Sequence, residues 1–263
     1  MSLHCVEMGN KNGPTIVFVH GGGMAGWMWK KQWESFQDYH LLIPDLPDHG
    51  MSKQEGAIDI QDSAGRIADL IREKANGGHA YVVGHSLGAK IIVQLLADHP
   101  ELVSRAVVAS ALFRPIPMLN MMLNMPAYRL TVRLLKCKAI LDMQARQFDF
   151  PDAEYEENFK LEAAGETAEM LERIYAQLNK YLQLPQGLGG ADAPTLVLCG
   201  EKEPKAMRQS ARDVACALPN GKAYLIKGAK HNFPWAQSDA FNQAVRAWLE
   251  DVPMENPLLR AAD

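Results

Sequence analysis

Six short apolar runs recur along this chain, at Thr15–Val19, His40–Ile43, Ala80–Val83, Arg105–Ala109, Thr195–Cys199 and Lys222–Ile226. Each is continuous rather than alternating, the pattern of parallel strands covered on both faces. Helical stripes lie between them. Ile67, Ile71 and Ala75 share one face, as do Ile91, Ile92, Leu95 and Leu96, and near the end Phe241, Ala244, Val245, Trp248 and Leu249. Strand–helix alternation of this kind predicts an α/β fold with a doubly wound, mostly parallel sheet. A chain of 263 residues, 48% of them hydrophobic, is long enough for one sizeable core.

The interval 112–190 breaks the rhythm. It has no strand-like run, opens with Pro115 and Pro117 and closes on a Gly-rich stretch. Inside it Leu171, Ile174, Tyr175, Leu178 and Leu182 keep helical spacing, and Met118, Met121, Met122 and Met125 cluster. The interval reads as a helical cap inserted into a core made of residues 1–111 and 191–263.

Composition narrows the function. The formal net charge is −4, without the basic surplus that a nucleic-acid partner calls for. No run approaches the ~18 consecutive apolar residues of a membrane span, and the first ten residues lack the basic and apolar regions of a signal peptide. Four cysteines without a CxxC pair suit neither a disulfide scaffold nor a zinc site. These features describe a soluble, cytoplasmic protein with reduced thiols and no metal site built on cysteines; they do not fix an oligomeric state.

The decisive string is Gly84-His85-Ser86-Leu87-Gly88, which follows an apolar run and opens a helical stripe. A strand–turn–helix passage of this composition strains the serine backbone and lifts its hydroxyl clear of the sheet. Ser86 is therefore the candidate nucleophile. Its base is expected on a loop past a later strand, where His231 stands. His85 sits inside the turn, His99 precedes Pro100, and His20 and His49 belong to Gly-containing loops with structural roles. A carboxylate must orient the imidazole. Glu203, three residues after Gly200, is the first candidate and Glu201 its rival. His20-Gly21-Gly22-Gly23 follows the first apolar run, and glycines let the backbone approach a substrate oxygen closely. The amides of Gly22 and Leu87 are the expected oxyanion donors. Gly23, Leu112, Phe113, Met118 and Met122 are the expected substrate contacts, the methionines because unbranched side chains adapt to irregular apolar ligands.

Taken together, HGGG at 20–23, DLPDHGMS at 45–52, GHSLG at 84–88, GEKEP at 200–204 and His231 resemble the α/β-hydrolase superfamily, in its cap-bearing branch of esterases, lactonases and C–C hydrolases. The resemblance covers nearly the whole chain. It implies a cofactor-free enzyme, and Ser86 at the nucleophile position sets it apart from the branches with an aspartate nucleophile. Two positions depart from the pattern: Asp48 stands where glycine is common, and Glu203 where aspartate is usual. The expected activity is hydrolysis of a small, mostly apolar carboxylic ester or lactone. A lyase or C–C hydrolase using the same residues, or a ligand-binding receptor that kept the fold, are the alternatives.

Overall fold

The computed structural model describes residues 3–115 and 137–262. Its strands are β1 (Cys5–Gly9), β2 (Thr15–Val19), β3 (His40–Pro44), β4 (Ala80–His85), β5 (Val103–Ala109), β6 (Thr195–Gly200), β7 (Gly221–Ile226) and β8 (Leu259–Ala261). They form one sheet in the order β1-β3-β2-β4-β5-β6-β7-β8. All neighbours from β3 to β7 are parallel, and β1 and β8 add antiparallel edges. Every run expected from the sequence is a strand. The two edge strands were not foreseen, because an edge needs pairing on one side only. β1 is half-buried with a charge in its middle, and β8 is short and largely exposed.

Successive residues of a strand face opposite sides, so each apolar run feeds two cores. Val17, Val19, Val82 and Val197 pack on α2 (Ile60–Lys74), α3 (Leu87–Asp98) and α7 (Lys205–Ala217). Ile16, Phe18, Val83 and Leu198 pack on the other face, against Trp29, Phe36, Phe241 and Val245. That side is built from α1 (Lys30–Ser35), α8 (Phe233–Ala236) and α9 (Ser238–Leu249).

Between β5 and β6 the described chain is helical: α4 (Lys138–Gln147), α5 (Ala153–Gly165) and α6 (Ala168–Lys180). The Asp152 and Thr167 side chains accept from Tyr155 N and Met170 N and so cap α5 and α6. The stripe Leu171, Ile174, Tyr175 and Leu178 lies on α6, which stops at Lys180, so Leu182 falls outside it. Polar ties seat this cap. Tyr155 Oη accepts from Lys31 N and donates to Met28 O, and the buried Glu162 receives Gly50 N and pairs with Lys53. Asp48, the residue that departs from the family pattern, has φ of +66° and is 5% exposed. Its carboxylate takes both Nε and Nη2 of Arg173 on α6, at 2.8 and 2.6 Å, and the amide of Ile58. Asp48 thus clamps the core to the cap.

Burial alone would raise the Asp48 pKa, but Arg173 and the Ile58 amide hold it below the ordinary carboxylate value. A depressed folded-state pKa means stability that is present above the unfolded value and lost on acidification. Asp48→Asn tolerates the left-handed backbone but loses the charge, and it is expected to cost about 1–3 kcal/mol at pH 7. Urea unfolding at a series of pH values checks this: the gap from wild type should close as the pH falls through the depressed pKa of Asp48.

Candidate active site

The turn at the end of β4 is set by steric crowding. A Cβ on Gly84 would lie 2.6 Å from the carbonyl oxygen of Gly88, and one on Gly88 would lie 2.5 Å from that of His20. With both positions confined to glycine, Ser86 takes φ of +54° and ψ of −111° and begins α3. Its amide donates to Ala109 O at 2.8 Å, tying the turn to the neighbouring strand. The half-buried side chain faces a cavity of about 390 Å³.

His231 comes to the same cavity on the loop after β7. Its Nδ1 lies 2.8 Å from Glu203 Oε2, which leaves Nε2 free to accept a proton when Nδ1 is the donor. Ser86 and His231 share the cavity without a direct hydrogen bond among the described residues. Beneath His231, the His85 ring lies 4.6 Å away between centroids, and its Nε2 donates to His231 O at 2.9 Å. Burial pushes the His85 pKa down to about 3, so this imidazole stays neutral and serves as a strut.

Glu203 is 4% exposed and fully engaged. Its Oε2 receives His231, while Oε1 receives Ser110 Oγ at 2.6 Å, Gly200 N at 2.7 Å and Cys199 Sγ at 3.4 Å. Burial works to raise its pKa, and the His231, Ser110 and Gly200 donors overcome it and hold the value at about 2. Glu201 points elsewhere, accepting from Gly228 N and lying 3.6 Å from Arg260. Of the two carboxylates named from the sequence, Glu203 is the one beside His231.

The glycine loop is held by two more neutral imidazoles. His20 Nε2 accepts from Leu46 N, so its Nδ1 is the donor to Gly21 O. His49 Nε2 accepts from Gly23 N at 3.1 Å and its Nδ1 donates to Pro47 O. Burial holds the His49 pKa at about 3. Gly22 is left against Leu87 and Ile174: a Cβ there would stand 3.6 Å from Leu87 Cδ2 and 3.0 Å from Ile174 Cγ2. The Gly22 amide donates to no group among the described residues, and the Leu87 amide opens α3, where first-turn N–H groups have no intrahelical partner.

Of the expected substrate contacts, Gly23 lines the cavity, and Leu112 and Phe113 do not. Phe113 is buried beside α7, with its amide on Ser210 Oγ. Met118 and Met122, with Met121 and Met125, lie outside the described residues. The apolar wall comes instead from Leu141, Phe148, Phe159, Ile174, Leu178 and Trp235. Ser110 was not foreseen. Its signal is a serine at the C-terminal end of a buried strand, with a left-handed φ of +58°. Among the described residues no three His, Cys, Asp or Glu side chains are grouped as metal ligands would be, and no helix is long and apolar enough to cross a membrane.

Against an unfolded value of ~4.3, the depressed pKa of Glu203 adds stability that is complete above that value and lost as the pH falls toward 2. Ser110→Ala removes one donor. It is expected to cost about 1–2 kcal/mol at neutral pH, with a smaller change in stability between pH 5 and the acid limit than in wild type. Urea titrations across that range measure both.

Known proteins resemble this chain in sequence or in fold. The (E)-2-((N-methylformamido)methylene)succinate hydrolase of Acinetobacter baylyi is 27% identical over 96% of this chain and 95% of its own length. A pimeloyl-(acyl-carrier protein) methyl ester esterase of Vibrio campbellii is 32% identical, but that alignment spans only 42% of this chain and 41% of the esterase. The structure of a malate-bound thermophilic esterase from Thermogutta terrifontis superposes with a TM-score of 0.72 over 95% of this chain and 93% of that one, at 19% identity. The profile of the alpha/beta hydrolase family matches residues 16–244. The chain belongs to the alpha/beta hydrolase family.

Proposed function

We propose that this protein is a serine hydrolase of small, mostly apolar carboxylic esters or lactones, working through an acyl-enzyme on Ser86. One observation carries the reading. Ser86 on its strained turn, His231 held by Glu203, and the undonated amides of Gly22 and Leu87 meet at one apolar cavity.

His231 Nε2 takes the Ser86 proton as Oγ attacks the substrate carbonyl, and the Ser–His hydrogen bond forms as substrate fills the cavity. Glu203 receives the Nδ1 proton in a hydrogen bond and stabilises the imidazolium that results. Charge on the former carbonyl oxygen meets the Gly22 and Leu87 N–H groups at the start of α3, where the helix dipole favours it. The tetrahedral adduct collapses, His231 returns the proton to the leaving alcohol, and the acyl group stays on Ser86. Water then attacks with His231 again as base, and the acid departs. A lactone opens by the same steps, with the alcohol still attached to the acyl group. The aromatic and aliphatic walls favour apolar substituents, at roughly 1–3 kcal/mol per methylene that fits.

A fluorophosphonate probe should add one label, at Ser86, and Ser86→Ala should abolish both labelling and turnover. On p-nitrophenyl esters of increasing chain length, Glu203→Gln should lower kcat by about 10²–10⁴-fold, and Glu201→Gln should leave it within about twofold. Labelling at another residue would overturn the reading. Tight ligand binding without turnover would favour the receptor alternative.

A further inference from the structure

Lys90 lies one turn into α3, its amide donating to Ser86 O at 3.1 Å. It is 1% exposed, and its ammonium meets no carboxylate among the described residues. The charged residues flanking its partners are engaged elsewhere: Lys180 with Asp59, and Arg114 with Asp213. Nζ instead donates to three backbone carbonyls, Leu112 O at 2.6 Å, Tyr181 O at 2.5 Å and Leu178 O at 3.3 Å, and lies 4.5 Å above the Phe113 ring. A methionine of similar length would fill the same space without desolvating a charge. Burial works against the ammonium and drives its pKa down to about 7.

The owners of the three carbonyls explain the lysine. Leu112 is on the chain leaving β5 toward the cap. Leu178 and Tyr181 are the last turn and C-cap of α6, where carbonyls lack intrahelical partners and the helix dipole is negative. One ammonium thus joins both ends of the cap to the helix that begins at the nucleophile. α6 carries Leu171, Ile174, Tyr175 and Leu178 on the cavity wall, and Ile174 abuts Gly22. Asp48 holds the same helix through Arg173, whose side chain is 40% exposed.

We propose that Lys90 is a positioning residue that fixes the α6 wall relative to Ser86 and thereby sets which acyl lengths the cavity accepts. The specificity half rests on the hydrolase reading above; the seating of α6 does not. In Lys90→Met, kcat/KM for a hexanoyl relative to an acetyl p-nitrophenyl ester should change at least fivefold, mainly through KM. Amide hydrogen exchange in residues 168–181 should quicken at least tenfold, with α2 unchanged. Lys90→Gln keeps two N–H donors and should fall between wild type and Lys90→Met in both readouts. It also serves if the methionine variant fails to fold. An unchanged chain-length ratio, or an equal loss on both esters, overturns the specificity role even if exchange quickens. Unchanged exchange in 168–181 overturns the seating. Should no Ser86-dependent turnover exist, the hydrolase reading fails, and the exchange arm still decides whether Lys90 seats α6.

Discussion

The close approach of β2, β4 and α3 governs everything near the cavity. The backbone of Gly88 passes so near Val19 and His20 that no side chain fits there, and Gly84 is pressed against the same helix. This contact leaves the residue between them in a left-handed conformation that costs of order 1–3 kcal/mol. The surrounding packing over-determines it: Ser86 is held by a bond to β5 on one side and by the first turn of α3 on the other. The strain sets the serine hydroxyl beyond the sheet edge, with α3 directed away from it and its unpaired amides directed toward it. The glycine loop can approach only because the same contact brings β2 alongside.

Histidines hold the rest of this edge in two different states. His20, His49 and His85 are buried and uncharged: His20 ties Gly21 to Leu46, His49 ties Gly23 to Pro47, and His85 ties the end of β4 to His231. His231 is 46% exposed in its side chain and has one nitrogen committed to Glu203. Burial thus separates imidazoles that act as rigid connectors from His231, whose ring stands half-exposed at the cavity. The longer glutamate is accommodated for a related reason. Ser110, Gly200 and Cys199 all grip Oε1, so the extra methylene adds reach without adding freedom.

The central sheet was readable because strands buried on both faces read as short, nearly continuous apolar runs, and Thr15–Val19 or Thr195–Cys199 admit no other easy assignment. Edge strands such as Cys5–Gly9 leave no such signature. Ser86, His231, Glu203, Gly22 and Leu87 could be named together because backbone sterics and proton chemistry dictate their types and the family resemblance their order; Gly22, Ser86, Leu87 and His231 line one cavity and Glu203 lies behind His231. Ser110 and Lys90 escaped notice because their meaning lies in partners roughly 90 residues away in the chain. Leu112 and Phe113 were expected at the cavity on account of where β5 ends, but the chain turns there toward α7 and buries Phe113 instead. Asp48 stands out in the sequence only as a departure from glycine; its place in a clamp requires Arg173 from the cap.

The cap's insertion point has a consequence for how such a protein can be remodelled. β5 and β6 are hydrogen-bonded neighbours, Ala106 opposite Thr195 and Ala109 opposite Leu198, although the whole excursion lies between them in sequence. Because the two strands are parallel, the chain leaves the sheet at the C-terminal end of β5 and crosses back to the opposite end to enter β6, the neighbouring strand about 4.8 Å to the side. Such a crossover fixes only where its two ends lie, and the entropy of closing a loop grows only slowly with its length. Helices can be added, shortened or exchanged in that excursion while strand pairing, the serine turn and the imidazole connectors stay as they are. The same sheet edge can thus carry differently shaped excursions, because the cavity wall from Leu141 to Leu178 and the side formed by Ser86 and His231 lie on separable lengths of chain.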